Sequence, residues 1–265
     1  MENKTGFKYC LVGSGNVATQ LGTVLFSQGN LAIEIISRNS TTGKNLAAAV
    51  QANYTSQVSE ASLDAEIIFV CVQDDEIADV MKNIQSRINS SQILVHTSGS
   101  RGLEVYDPIS ANTGVFYPLQ TFSKHNLVKW NEIPVFTQFI DDTPKELLLL
   151  IDRLKCRHHK ISDDNRMAIH TAAVFANNFT NFNLVIAHKI LTANHLPFDI
   201  LKPLVDQSLS TAFLTDPGLN QTGPARRKDN ETISKHIIYL IQNFPEFEQL
   251  YEDYSRLIKL SFDKK

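Results

Sequence analysis

The sequence predicts an α/β fold, a mostly parallel doubly wound sheet, followed by an all-helical domain. Three observations predict this. Short apolar runs alternate with segments of helical periodicity as far as residue 161. The runs are continuous rather than alternating, as strands covered on both faces require. After residue 161 the strand pattern stops and only helical periodicity remains.

Lys8–Val12 (KYCLV) is the first strand and ends at Gly13. Val17–Ser27 has helical spacing, and Ile33–Ser37 (IEIIS) is a second strand. Thr42–Gln51 is an alanine-rich helix. Glu66–Val72 (EIIFVCV) is a strongly β-prone run, Asp75–Arg87 is helical, and Ile93–His96 (ILVH) is a further strand. Weaker strands fit Thr113–Phe116 and Ile133–Thr137, with a helix at Pro144–Leu154 and a strand at Arg157–Ile161. From Asp164 to Ala193 a helical pattern runs without proline or glycine. Further helices fit Phe198–Leu214, Thr232–Asn243 and Phe247–Leu260. The domains are therefore 1–161 and 162–265, with Ser162 or Asp163 capping the long helix.

Composition excludes several functional classes. Of 265 residues, 43% are hydrophobic and 20% charged, with a formal net charge of −3. That balance offers no bulk attraction to nucleic acid or to an anionic membrane. The three cysteines, Cys10, Cys71 and Cys156, are widely separated and form no CxxC pair. Neither a disulfide framework nor a thiolate metal site is expected, and a reducing cytoplasm suits them. The N-terminal apolar run is too short for a signal peptide, and no stretch reaches the ~20 apolar residues of a membrane span.

The first strand–helix turn reads Gly13-Ser14-Gly15-Asn16-Val17-Ala18, a GxGxxA pattern. The first glycine permits the tight turn, and the second admits a pyrophosphate close to the backbone. The alanine lets helix and strand pack closely. Amide groups at the helix start, with the helix dipole, attract the phosphates. With a strand before it and a helix and second strand after it, the turn reads as a Rossmann dinucleotide site. The end of the second strand indicates which dinucleotide. An acidic residue there holds the 2′-hydroxyl of NAD, but this chain has Ser37-Arg38-Asn39-Ser40-Thr41. Arg38 can pair with a 2′-phosphate, and nearby hydroxyls can add hydrogen bonds, so NADP is the expected cofactor. Glu34 lies too early in the strand for the ribose role. The Cys71, Val72 and Gln73 backbone should flank the cofactor.

Ligands in such sheets lie beyond the carboxyl ends of the strands. His96, Thr97 and Ser98 would sit near the reactive ring, although His96 also fits a structural strand histidine. Gln120 and Ser123, in FYPLQTFS, are candidates for lining the cleft. On the long helix, at ~100° per residue, His170, Asn177, Asn181 and His188 fall on one narrow stripe among apolar neighbours. Polar groups in that setting need partners, which either a ligand or a buried seam would supply. The stripe lacks metal-ligand spacing. His158 and His159 lie in tandem on a strand, point to opposite faces and read as structural. In TGPARRKD, Arg226 and Arg227 can grip an anionic substrate or belong to a solvated loop before a helix capped by Asp229 or Asn230.

Together, GSGNVA, SRNS, VCVQDDEI, HTSGS, FYPLQTFS, HTAAVFANNFTN and TGPARRKD resemble the Rossmann-like proteins with a C-terminal domain of unknown function 2520. That family carries the label NADP oxidoreductase. More distantly, the chain is similar to deazaflavin-dependent NADP oxidoreductases, pyrroline-carboxylate reductase and the β-hydroxyacid dehydrogenases. The resemblance implies a helical domain of the 6-phosphogluconate dehydrogenase C-terminal type, an interdomain active site and a homodimer formed through the helical domain. The β-hydroxyacid dehydrogenases carry a catalytic lysine on the long helix just before an Asn-Asn pair. Here that pair is Asn177-Asn178, and the matching position is Val174.

The expected function is an NADP(H)-dependent oxidoreductase acting on a small carbonyl or imine. His96, Ser98, His170 and Asn177 are the candidates for orienting the substrate or relaying the proton. Gln120, Asn181, Arg226 and Arg227 are the candidates for holding it. A non-catalytic NADP(H) sensor is the alternative, which the absent lysine favours.

Overall fold

The computed structural model describes residues 6–124, 126 and 128–262. They form two compact units that divide between Ala173 and Val174.

The first unit is an eight-stranded sheet. Its strands are β1 (Lys8–Val12), β2 (Leu31–Ile36), β3 (Asn53–Thr55), β4 (Ile67–Val70), β5 (Ile93–His96), β6 (Thr113–Pro118), β7 (Pro134–Gln138) and β8 (Arg157–Lys160). Their order is β3-β2-β1-β4-β5-β6-β7-β8. Only the β6–β7 pair is antiparallel. This is a Rossmann-like doubly wound sheet, in which the chain crosses from β3 to β4 at the switch point beside β1. Its helices are α1 (Asn16–Ser27), α2 (Ser40–Ala49), α3 (Ile77–Gln85), α4 (Lys145–Leu154) and α5 (Asp163–Ala173).

Strand alternation divides the core. Ile67 and Phe69 of β4 join one cluster with Leu21, Leu25 and Phe116. Ile68 and Val70 point the other way, to Ile77, Met81 and Ile84 of α3. Helix α1 buries Ala18, Leu21, Gly22 and Leu25, the spacing of one helical face. Phe69 and Phe116 are fully buried and meet edge to face at 5.3 Å. Burying each ring contributes roughly 3 kcal/mol, and the contact ties β4 to β6 across the intervening β5.

The sequence reading misses β3, a three-residue edge strand without an apolar run. It also starts the helical domain at 162, whereas α5 packs with the sheet. Ile169 lies against the cluster of Val115, Tyr117 and Phe136, and Arg166 is buried with a hydrogen bond to Gln138. Ser162 caps α5 as expected, its Oγ accepting from the Asn165 amide.

The second unit opens with a π-helical stretch, Val174–Phe179. It continues with α6 (Thr180–Ala193), α7 (Lys202–Ala212), α8 (Pro224–Arg227), α9 (Asn230–Asn243) and α10 (Glu248–Phe262). Asp229 caps α9 by accepting from the Thr232 amide at 3.0 Å. Ile233, Leu240 and Phe247 are buried, whereas Phe213 (89%), Leu214 (82%) and Leu219 (81%) are exposed. No helix among the described residues is long and apolar enough to cross a membrane.

Candidate cofactor and active site

A groove of about 950 Å³ opens at the carboxyl ends of β2, β1 and β4, within the size range of small-molecule sites. Gly13 forms its floor. Its φ is +115°, and a Cβ there would lie 2.3 Å from the Cys71 carbonyl oxygen, so no other residue fits. Beside it Gly15 faces open space and starts α1 with no side-chain cap. The amides of a first helical turn lack intrahelical partners, so this turn can cradle a diphosphate. Ala18 is fully buried, as close helix–strand packing requires.

Hydroxyls brace the cradle from below. Ser14 Oγ lies 2.7 Å from Ser37 Oγ and 2.6 Å from Thr42 Oγ1, tying the loop to β2 and α2. Asn39 caps α2 by accepting from the Thr42 amide. The roles expected of Ser37 and Asn39 toward a ligand are thus shared with holding the loop. Arg38 is exposed at the groove and paired with Glu76 at the entry to α3. Asp75, Asp79 and Lys124 also line the groove. Lys124 sits on a segment held by buried Gln20 of α1, whose Nε2 donates to the carbonyls of Ser123 and Asn126.

Of the cofactor residues expected from sequence, Gly13, Ser14, Gly15, Ser37, Arg38, Asn39, Cys71, Val72 and Gln73 all line this groove. Asn16, Val17, Ser40 and Thr97 adjoin it without lining it. Sequence reasoning missed Thr42, Glu76 and Lys124, which only the fold brings there. Burial pushes the Cys71 thiol up to about 12, against a hydrogen bond with Thr97, so it stays protonated.

The next strand ends carry the other candidates. His96 is fully buried and spends both ring nitrogens on backbone. The Ser98 amide donates to Nδ1 at 3.3 Å, and Nε2 lies 3.1 Å from the Gly102 carbonyl. Burial holds it neutral by lowering its pKa to about 4, with Arg166 adding to the effect and the Gly102 bond opposing it. Ser98 Oγ accepts from the amides of Ser100 and Arg101, and Ser100 donates to Asp74. These contacts correct the expectation of a reactive His96 and Ser98, because their polar atoms build the loop after β5.

Tyr117 and His170 come together instead. Tyr117 Oη lies 3.0 Å from His170 Nδ1, at the end of β6. Both rings press on Gly99, where a Cβ would come within 2.5 Å of His170 Nδ1 and 2.7 Å of Tyr117 Cζ. The sequence points to His170 through the polar stripe but does not single out Tyr117.

The structure places the remaining candidates as follows. The stripe assumed a uniform ~100° step, but the π-helical stretch lies between His170 and Asn181 and contains Asn177, so that step does not relate them. Asn177, Asn181 and His188 are exposed, and His188 meets the Phe198 ring at 5.2 Å. Gln120 is exposed and accepts from the Thr121 amide. Arg226 and Arg227 end the short helix α8 rather than lying in an open loop, and Arg226 stacks over Phe262 at 4.8 Å. His158 and His159 are structural as read, meeting Thr137 and Phe136 respectively. No cluster of potential metal ligands occurs among the described residues.

Comparison with known proteins agrees with this architecture. Residues 8–99 match the model of the coenzyme F420-dependent NADP oxidoreductases, and residues 141–258 match domain of unknown function 2520. The crystal structure of BF3122 from Bacteroides fragilis, provisionally named an NADP oxidoreductase, is 32% identical with a TM-score of 0.88. The match covers 96% of this chain and 98% of that one. The chain belongs to this family of Rossmann-like NADP oxidoreductases with a domain of unknown function 2520. The fold extends beyond the family. An imine reductase from Myxococcus stipitatus in complex with NADP+ is 14% identical with a TM-score of 0.66, covering 97% of this chain and 93% of that one. A pyrroline-5-carboxylate reductase from Coxiella burnetii is 12% identical with a TM-score of 0.59, covering 96% and 98%. No curated protein matches the chain. The family is one of NAD(P)-dependent oxidoreductases, and the Gly13 turn, open Gly15 and Arg38 of this groove fit a dinucleotide.

Proposed function

We propose that the chain is an NADP(H)-dependent oxidoreductase acting on a small carbonyl or imine compound. Arg38 carries the preference for NADP(H). It stands at the end of β2, where an acidic residue would favour NAD, and its exposed guanidinium can take a 2′-phosphate. When bound, the reduced cofactor supplies a hydride to the substrate carbon. The chain's part is to hold the diphosphate on the Gly13–Gly15 loop, to read the 2′-phosphate through Arg38, and to complete the reaction with a proton. His170 and Asn177 remain the residues of the long helix assigned to that chemistry, with Asn181, Gln120, Arg226 and Arg227 assigned to the substrate.

A homodimer belongs to the same proposal. The exposed Phe213, Leu214 and Leu219 of the second unit form apolar surface of the kind that a second copy covers. The low cysteine content suits work in the cytoplasm.

The test is NADPH oxidation against a panel of small ketones, aldehydes and cyclic imines. Turnover of members of the panel is expected. NADPH binding with no turnover across it would contradict the oxidoreductase assignment and favour a sensor.

A further inference from the structure

We propose that the Tyr117 hydroxyl donates the proton to the substrate heteroatom and that His170 positions and reprotonates it, an inference that rests on the oxidoreductase reading. Reduction of a carbonyl needs more than hydride. Two electrons arrive on carbon with the hydride, the C=O π bond opens toward oxygen, and that oxygen must gain a proton. The source has to lie at the strand ends beyond the diphosphate cradle. The groove spans the ends of β2, β1 and β4. The next strands are β5 and then β6, so the end of β6 lies about 10 Å beyond β4 at the usual strand spacing. Tyr117 is on β6 near that end.

Other groups nearby are unsuited. His96 is fully buried, with both ring nitrogens engaged by backbone. Ser98 Oγ accepts two loop amides. Arg166 is buried, bonded to Asp163 and Gln138. Tyr117 and His170, by contrast, form a pair of proton-exchanging groups at 3.0 Å.

The balance is simple. Tyr117 Oη–H breaks as the substrate O–H forms. In the tautomer with Nδ1–H, that proton passes to the phenolate as Nε2 takes one from water, so the partly exposed imidazole stays neutral and each turnover consumes one solvent proton. The groups acting on the Tyr117 charge are Asp74 after β4 and Arg166 on α5. Burial and then Asp74 raise its pKa, with Arg166 opposing them, so the hydroxyl holds its proton until the substrate takes it. Gly99 matters because any side chain there would part the two rings.

The test compares Tyr117→Phe with wild type using NADPH and two probes, a small ketone and an N-methylated cyclic iminium salt. The iminium carries its charge permanently and needs no proton. Tyr117→Phe should lose about 100-fold in kcat on the ketone, keep iminium turnover within about threefold, and bind NADPH within about twofold of wild type. His170→Gln should lose about tenfold on the ketone alone. A readout independent of turnover is the His170 Nδ1 nitrogen resonance, which should move in Tyr117→Phe without cofactor. Equal losses on both probes, no loss on the ketone, an unmoved resonance, or wild-type protein that binds NADPH but reduces no ketone would each overturn the proposal. Failure of wild type to bind NADPH would instead remove the cofactor reading beneath it.

Discussion

The Arg38 guanidinium at the end of β2 is paired with the Glu76 carboxylate at the entry to α3, and both line the groove at the strand ends. The pair is weak as a stabilising contact, because Arg38 keeps 79% of its side chain exposed. Exposed pairs contribute about 0–1 kcal/mol, so a 2′-phosphate can take the arginine over. Glu76 then stands beside that phosphate as a like charge. Glu76→Gln should tighten NADPH binding about two- to fivefold and change NADH binding less than about twofold. Paired calorimetric titrations check this, and weaker NADPH binding in the variant would contradict it.

Gly13 carries a double constraint. Its positive φ strains any other residue, and a Cβ would drive into the Cys71 carbonyl just after β4. Gly13→Ala should cost roughly 2–4 kcal/mol of stability and abolish detectable NADPH binding. Urea denaturation and a fluorescence titration report the two effects. A variant with wild-type affinity would place the diphosphate elsewhere.

His96 makes stability depend on pH. Its pKa falls from 6.5 to about 4 on folding, because burial penalises the charged ring. As pH drops, the unfolded chain takes the proton first. The favourable contribution is therefore complete above about 6.5 and fades progressively toward about 4. Full loss amounts to roughly 3 kcal/mol. Denaturant melts of wild type and His96→Gln across this window should converge as pH falls, because the variant lacks the slope. Parallel curves would show that the ring is not held neutral by burial.

Much of the fold was legible because burial on both faces leaves continuous apolar runs, as in β1, β4 and β5. The glycine loop was legible because steric demand permits few residues at its turns. Strand β3 was not, since an edge strand held mainly by pairing with β2 needs no apolar pattern. Most of the residues expected at the phosphate end line one groove because they are local to strand–loop–helix turns. Glu76 and Lys124 escaped because only the order of strands brings them to Arg38. Tyr117 escaped for a related reason. An aromatic on a buried strand reads as core, and its partner lies on α5, distant in sequence. The angular relation along the long helix was not legible because the π-helical turn alters the step, which composition does not announce. His96 and Ser98 were placed correctly at the strand end, but the loop after β5 turns back and uses their polar atoms itself.

The central claim is that Arg38 makes the groove an NADP(H) site. Titrating wild type and Arg38→Asp with NADPH and NADH in parallel tests it most directly. Charge-assisted hydrogen bonds to the 2′-phosphate are worth about 1.5–3 kcal/mol. Wild type should therefore bind NADPH roughly 10- to 100-fold more tightly than NADH, and Arg38→Asp should erase or reverse that ratio. Equal affinities for the two cofactors in the wild-type protein would contradict the account.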